Sequence, residues 1–160
     1  MPRLFNRLSG LCLALCVLPI AISLAAPAQT APRLVLDDGV EMVDLWPAVT
    51  VRHDPDNQLT VENVLASPAE FAAPNAAYAA LGLRQKVVWL RVPVSVPLHS
   101  NGRWILDFDY SLLNRIDVHV VTGGQMVKHA VLGNTQPLAQ RPLPGRSHAV
   151  ALELSPGNDY

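Results

Sequence analysis

Leu81-Gly82-Leu83-Arg84-Gln85-Lys86-Val87-Val88-Trp89-Leu90-Arg91-Val92-Pro93-Val94-Ser95-Val96 begins at a glycine turn and runs into the longest alternating segment of the chain. Val88, Leu90, Val92, Val94 and Val96 fall on one face, and Val87, Trp89, Arg91, Pro93 and Ser95 on the other. A period of two with β-branched residues on one side predicts a half-buried strand. Trp89 and Arg91 then point the same way from the opposite face. This Trp-x-Arg face is either a ligand surface or the second half of a packed core.

The segments that follow repeat the pattern. Arg103 to Tyr110 alternates, with Trp104, Leu106, Phe108 and Tyr110 on one side and Asp107 and Asp109 on the other. Ile116-Asp117-Val118-His119-Val120 puts its aliphatic residues inside and Asp117 and His119 outside, and Gly123-Gly124 turns it into a returning strand, Gln125 to Leu132. Residues 133–147 hold Pro137, Pro142, Pro144, Arg141 and Arg146 and read as a long ordered loop before Val150, Leu152 and Leu154 alternate once more.

Upstream, Arg33 to Leu36 predicts a short strand, closed by Asp37-Asp38-Gly39, with Val40 to Trp46 returning as its hairpin partner. Ala48 to His53 is another short apolar segment ended by a loop at Asp54-Pro55-Asp56-Asn57. Helix competes only over residues 59–80. Thr60 can cap a turn through Leu65, and Ser67-Pro68-Ala69-Glu70 has the form of a capping box. Phe71 and Tyr78 are then placed to plug a sheet edge. Many short strands with Gly/Pro turns and no internal repeat predict an all-β, antiparallel, jelly-roll-like sandwich with one or two short helices in 59–80.

The first 28 residues read as a secretory leader: Arg3 and Arg7, an apolar run from Leu8 to Leu24, then small residues, with cleavage expected between Ala25 and Ala28. The run is short for a membrane span of roughly 20 residues and Pro19 interrupts it. Both cysteines, Cys12 and Cys16, lie in this leader, preceded by leucines that do not suit a lipidation site. The rest offers no disulfide framework and no thiol chemistry, which suits a bacterial periplasm. Residues 29–34 read as a tether and 35–160 as one domain. Beyond the leader, ten basic residues face thirteen acids, a net charge of about −3 with no basic stripe, so a nucleic-acid role has no support.

Several of these pieces in order resemble a known module: Leu81-Gly82-Leu83, Val88-Trp89-Leu90-Arg91, Trp104 to Phe108, Leu112 to Val120, and Gly133-Asn134 through Arg141-Pro142. Together they resemble the type 2 extracellular domain of bacterial seven-transmembrane receptors with diverse intracellular signalling modules. The resemblance runs from about Val35 to the end. It implies a periplasmic sensor domain with a jelly-roll-like fold similar to carbohydrate-binding modules. It also implies a membrane region and an output module of the histidine kinase or diguanylate cyclase kind, elsewhere in a full-length receptor. Two positions depart from the family pattern. Asn134 replaces the usual aspartate after Gly133, and Asn114 the aspartate before the Arg-Ile pair, so an acid-dependent role at either place is in doubt. The resemblance further implies a strand soon after Pro156-Gly157 and then membrane helices. With Tyr160 as the last residue, the sequence reads as the N-terminal piece of a receptor, truncated at its C-terminal strand and left with an unpaired sheet edge.

No catalytic constellation is visible. The five histidines are spread singly without zinc-ligand spacing, no nucleophile motif occurs, and Asp107 and Asp109 read as the solvent side of their strand rather than a catalytic pair. No cofactor or metal is expected. Ligand binding rests on Trp89 and Arg91 with Arg141 and Arg146: an indole stacks on sugar rings, and a guanidinium forks onto a carboxylate. Trp89 reads foremost as core, Arg91 as either ligand contact or loop tie, and Arg141, in an ordered loop, as the best single ligand contact. The expected function is an extracytoplasmic input domain binding a small ligand of the carbohydrate or carboxylate kind. A free periplasmic carbohydrate-binding protein is the alternative, and a secreted hydrolase fragment the weaker third reading.

Overall fold

The computed structural model describes residues 32–75 and 86–160. Its strands are β1 (Leu34–Val35), β2 (Thr50–Asp54), β3 (Val87–Arg91), β4 (Val94–Ser95), β5 (Arg103–Phe108), β6 (Ile116–Thr122), β7 (Gln125–Leu132) and β8 (His148–Glu153). One short helix, α1 (Val61–Ala66), and three 3-10 turns complete the described elements. The all-β sandwich class is as expected: β2–β3, β5–β8 and β6–β7 pair antiparallel, and only β1–β4 is parallel.

One core joins most of these strands. Leu36, Val96, Val118, Val120, Leu132, Val150 and Leu154 are buried together, with Trp104, Leu106, Phe108, Ile116 and Tyr160 packed against them. The alternation of β5 is as read: its core-side residues are half-buried, while Ile105 and Asp107 face solvent. Tyr110 departs from that stripe and is exposed, because the strand ends at Phe108.

The long central segment is not one strand. β3 pairs with β2, and after a break at Val92-Pro93 the chain continues as β4 beside β1. Pro93 has no N–H to give a ladder, and such a residue marks the place where a strand can leave its neighbour. On the expected aliphatic face Leu90 is 43% exposed and Val88 half-buried, so that face is only partly covered at this end. The Leu81–Gln85 start of the segment, with the Gly82 turn, lies outside the described residues, as does Tyr78.

The hairpin expected at Asp37-Asp38-Gly39 forms its turn but not its partner strand. Val40 N–H donates to Asp37 O at 3.0 Å, yet no strand follows before Trp46–Ala48, a 3-10 turn. β1 pairs with β4 instead: Leu34 and Leu36 N–H donate to Pro93 and Ser95 O at 3.1 and 2.9 Å. Asp38 fixes this docking, accepting from Ser100 Oγ at 2.6 Å and Asn101 N–H at 2.7 Å. Those bonds hold its carboxyl below the usual carboxylate range. The other side of β4 is taken by residues 157–160. Val94 N–H and Tyr160 O, Tyr160 N–H and Val94 O, and Val96 N–H and Asn158 O lie at 2.9, 2.8 and 3.0 Å. Residues 157–160 thus make an isolated antiparallel bridge to β4 at Ser95–Asp159, opposite the edge taken by β1.

At α1, Thr60 accepts from the Asn63 N–H and Asn63 Oδ1 accepts from the Thr60 N–H, a reciprocal cap. The capping box expected at Ser67 is not made. Pro68–Glu70 is a 3-10 turn with no side-chain cap, too short to need one.

His148 is 2% exposed in this core, and neither ring nitrogen has a hydrogen-bond partner among the described residues. A buried polar group left unpaired costs about 1–3 kcal/mol. His148→Leu, close in volume, is expected to raise stability by about 1 kcal/mol, read as a higher urea midpoint at unchanged slope. A lowered midpoint would show that the imidazole has a use that the leucine lacks.

Candidate functional site

The face of β6–β7 turned away from the core carries the densest set of functional side chains. Val118 and Val120 point into the core, so Asp117 and His119 project outward. The register puts His119 directly opposite His129 of β7. Their rings stack with centroids 4.6 Å apart and planes 8° from parallel. Trp89 of β3 lies over the other side of His119 at 5.9 Å and 26°. Three aromatic planes from three strands thus form one column.

Asp117 anchors its flank. It accepts from Arg115 Nε and Nη2 at 2.7 and 3.0 Å, a bidentate pair, and His129 Nε2 stands 3.2 Å from its Oδ1. The bonded Arg115 guanidinium holds the Asp117 carboxyl below its usual range against partial burial, with His129 adding to the effect. An ionised Asp117 only accepts, so His129 Nε2 carries the hydrogen. His119 is held below the ordinary imidazole value first by burial and then by His129, with Asp117 and Glu62 of α1 partly opposing. Its Nδ1 sits 3.3 Å from Met126 Sδ.

On the β3 side, Trp89 pairs across the ladder with Arg52, whose guanidinium is salt-bridged to Glu70. The next residue on that face of β2 is Asp54, 3% exposed. Its carboxylate accepts from the Gln58 and Leu59 N–H groups, each at 3.0 Å, and so shapes the loop after β2. Burial pushes this carboxyl up, but those amides, with Trp89 and Asn57, bring it below the usual range. The Trp89 N–H acts on it from outside normal hydrogen-bond geometry, since Nε1 is buried without a bonded partner. Arg52, Asp54, Asp56 and Glu70 border an open depression of about 470 Å³.

A second open groove, of about 480 Å³, lies between β7, β8 and the loop over residues 136–142. Ala130, Val150 and Ala151 form its apolar lining, and Lys128, His129, Gln136 and Gln140 bring polar ends to it. His129 therefore ends the aromatic column and lines the groove at once. The loop is tied down at its root. Asn134 and Thr135 N–H donate to Leu113 and Asn114 O at 2.9 and 3.0 Å. Asn134 Nδ2 donates to Ser111 O at 2.7 Å, a bond that an aspartate could not make.

The four residues singled out in the sequence are dispersed differently from one another. Trp89 is half-buried at the head of the column. Arg141 closes the 3-10 turn at Leu138–Gln140, its N–H donating to Leu138 O at 3.3 Å, between Gln140 and Pro142 of the groove. Its Nε is buried without a bonded partner among the described residues. Arg91 is exposed at the end of β3, where Thr50 Oγ1 donates to its carbonyl at 3.4 Å, and Arg146 is exposed in the approach to β8. Neither of the last two borders the groove. Asp107 and Asp109 are exposed, on the solvent side as read. The sequence pattern sets His119 outward but gives no binding role to His119, His129, Lys128, Gln136 or Gln140. The Gly123-Gly124 turn fixes the register only as far as Val121, and the shift beyond it, which no local pattern shows, sets His119 opposite His129.

Among the described residues no group of three or more His, Cys, Asp or Glu side chains is placed to hold a metal ion, and no helix is long and apolar enough to cross a membrane. The model of the family described as 7TMR-DISM extracellular 2 matches residues 47–160. No curated protein matches the sequence.

Proposed function

The chain belongs to the 7TMR-DISM extracellular 2 family, and from that membership we propose that it recognises a small polar ligand in the groove beside β7. Family membership makes it an extracellular sensor domain of a membrane receptor, and hence extracytoplasmic. The finer reading is that residues 1–28 direct export, and that the domain passes occupancy to a histidine kinase or diguanylate cyclase of the full-length receptor.

The observation that carries the ligand reading is the groove's makeup. An apolar floor with a few convergent polar groups is the usual form of a small-molecule site. Lys128 and His129 suit a carboxylate, and the Gln136 and Gln140 amides suit carboxylate or sugar hydroxyls. Arg141 then serves to hold the loop rather than to touch the ligand. A signal requires that the ligand bind one receptor state better than another, and a site shared by β7, β8 and a loop has parts that can close on it.

The test is a thermal-shift screen of monosaccharides, disaccharides and small carboxylates on the full chain. A ligand at 100 times its Kd adds about 2.7 kcal/mol, which is a rise of roughly 5–10 °C for a domain of this size. The shift is expected to disappear in a Lys128→Ala, Gln140→Ala double variant whose ligand-free midpoint is little changed, because both side chains are exposed. A ligand-induced shift that survives in the double variant places the site elsewhere.

A further inference from the structure

The His119–His129 pair has a geometry that ligand recognition alone does not use. Two imidazoles 4.6 Å apart and nearly parallel tolerate one positive charge far better than two. Trp89 covers the open side of His119, so charge placed there is also shielded from water. Trp89 belongs to the β2–β3 pair and both histidines to the β6–β7 pair, so the column is a joint between them. The groups facing it are Asp117 on β6 with Arg115 just before that strand, His129 with the neutral Met126 on β7, Glu62 on α1, and Arg52, paired with Glu70, and Asp54 on β2 on the indole's side.

We infer that this column is a proton-operated joint: with a neutral His119 imidazole it holds Trp89, and with it β3, on the outer face of β6–β7, and protonation of His119 releases the indole. The acids do not cancel the effect. Asp117 takes two bonds from Arg115 and a third contact from His129 Nε2, Glu62 is at the exposed start of α1, and at His119 both are outweighed by burial and by His129. A charge on His119 gains something from the indole face, but burial under the indole and the His129 ring stacked 4.6 Å away oppose it.

The sign follows from linkage. In the stacked arrangement His119 lies below the ordinary value of 6.5. The stacked form is therefore fully favoured above pH 6.5 and loses ground as pH falls from there through the lowered value. A sensor domain built this way answers to acidification of the space outside the membrane. The inference goes beyond ligand recognition and is measured without ligand, so either reading can fail alone.

The experiment is an NMR titration of the full chain from about pH 8 to about pH 5, following the imidazole Cε1–H signals and the Trp89 indole N–H, assigned with His119→Phe, His129→Phe and Trp89→Phe. The Trp89 signal is expected to move below pH 6.5 with the His119 midpoint, and to stop moving in His119→Phe, which keeps a stacked ring and removes the charge. His129→Phe is expected to raise the His119 midpoint, since it removes the like charge. The inference is overturned by a Trp89 signal that stays constant while the His119 imidazole titrates. A Trp89 signal that still moves in His119→Phe overturns it too. If His119→Phe does not fold, an unchanged His119 midpoint in His129→Phe has the same force.

Discussion

Gly133→Ala is expected to destabilise the domain by about 3 kcal/mol or more, a large share of the roughly 5–15 kcal/mol that holds an ordinary domain folded. Gly133 adopts φ of 113°, which L residues avoid. A Cβ built there would stand 2.4 Å from Asn114 O and 2.7 Å from the Arg115 Cα. Both obstacles are backbone, so no side-chain rotation relieves them. The same backbone carries the bonds that root the 133–147 loop, including Gln136 N–H to Gly133 O at 3.1 Å. Relief by shifting the chain would therefore also displace the groove. Gly124→Ala is the control, because its φ of 75° is equally left-handed but nothing lies within 4 Å of an added Cβ. It should cost only about 1 kcal/mol. Circular dichroism during urea unfolding of the two variants decides the matter, and equal losses would mean that the close approach to Asn114 is not made.

Leu132→Ala is the second large effect, with an expected loss of about 3 kcal/mol. Leu132 is 1% exposed and sits among Val118, Val120 and Val150, where three strands contribute to one core. Truncation removes apolar contact and leaves a cavity that three paired strands cannot readily collapse. The urea midpoint should fall at constant slope. Leu138→Ala, on the loop and 65% exposed, should fall within about 0.5 kcal/mol of the parent. A Leu132→Ala protein as stable as Leu138→Ala would place the core elsewhere.

Local patterns carried most of the fold. The alternation of Arg103 to Phe108, the Gly123-Gly124 turn and the Thr60 cap each depend on residues close in sequence, and each is found where the pattern put it. The Asp37-Asp38-Gly39 turn is also found, but its hairpin is not. Partner choice between short strands is set by what else they can bury. β1 gains Leu36 a place in the main core by lying on β4, while Val40 and Met42 remain exposed. Trp89 stands out locally in β3, and the fold makes it one plane of a column whose other planes lie on strands distant in sequence.

The sequence by itself determined the family, the all-β class and the turns, because these rest on period, composition and short-range sterics. The tertiary structure alone decided that the central segment is divided at Pro93 between two partners, and that the histidines meet. A plain two-residue turn at Gly123-Gly124 would set His119 opposite Lys128. The irregularity between Val120 and Val121 shifts the register by one residue, so Val120 faces Lys128 and His119 faces His129. A single extra residue in a ladder is decided by how both strands pack, and that placement turned two isolated histidines into a stacked pair.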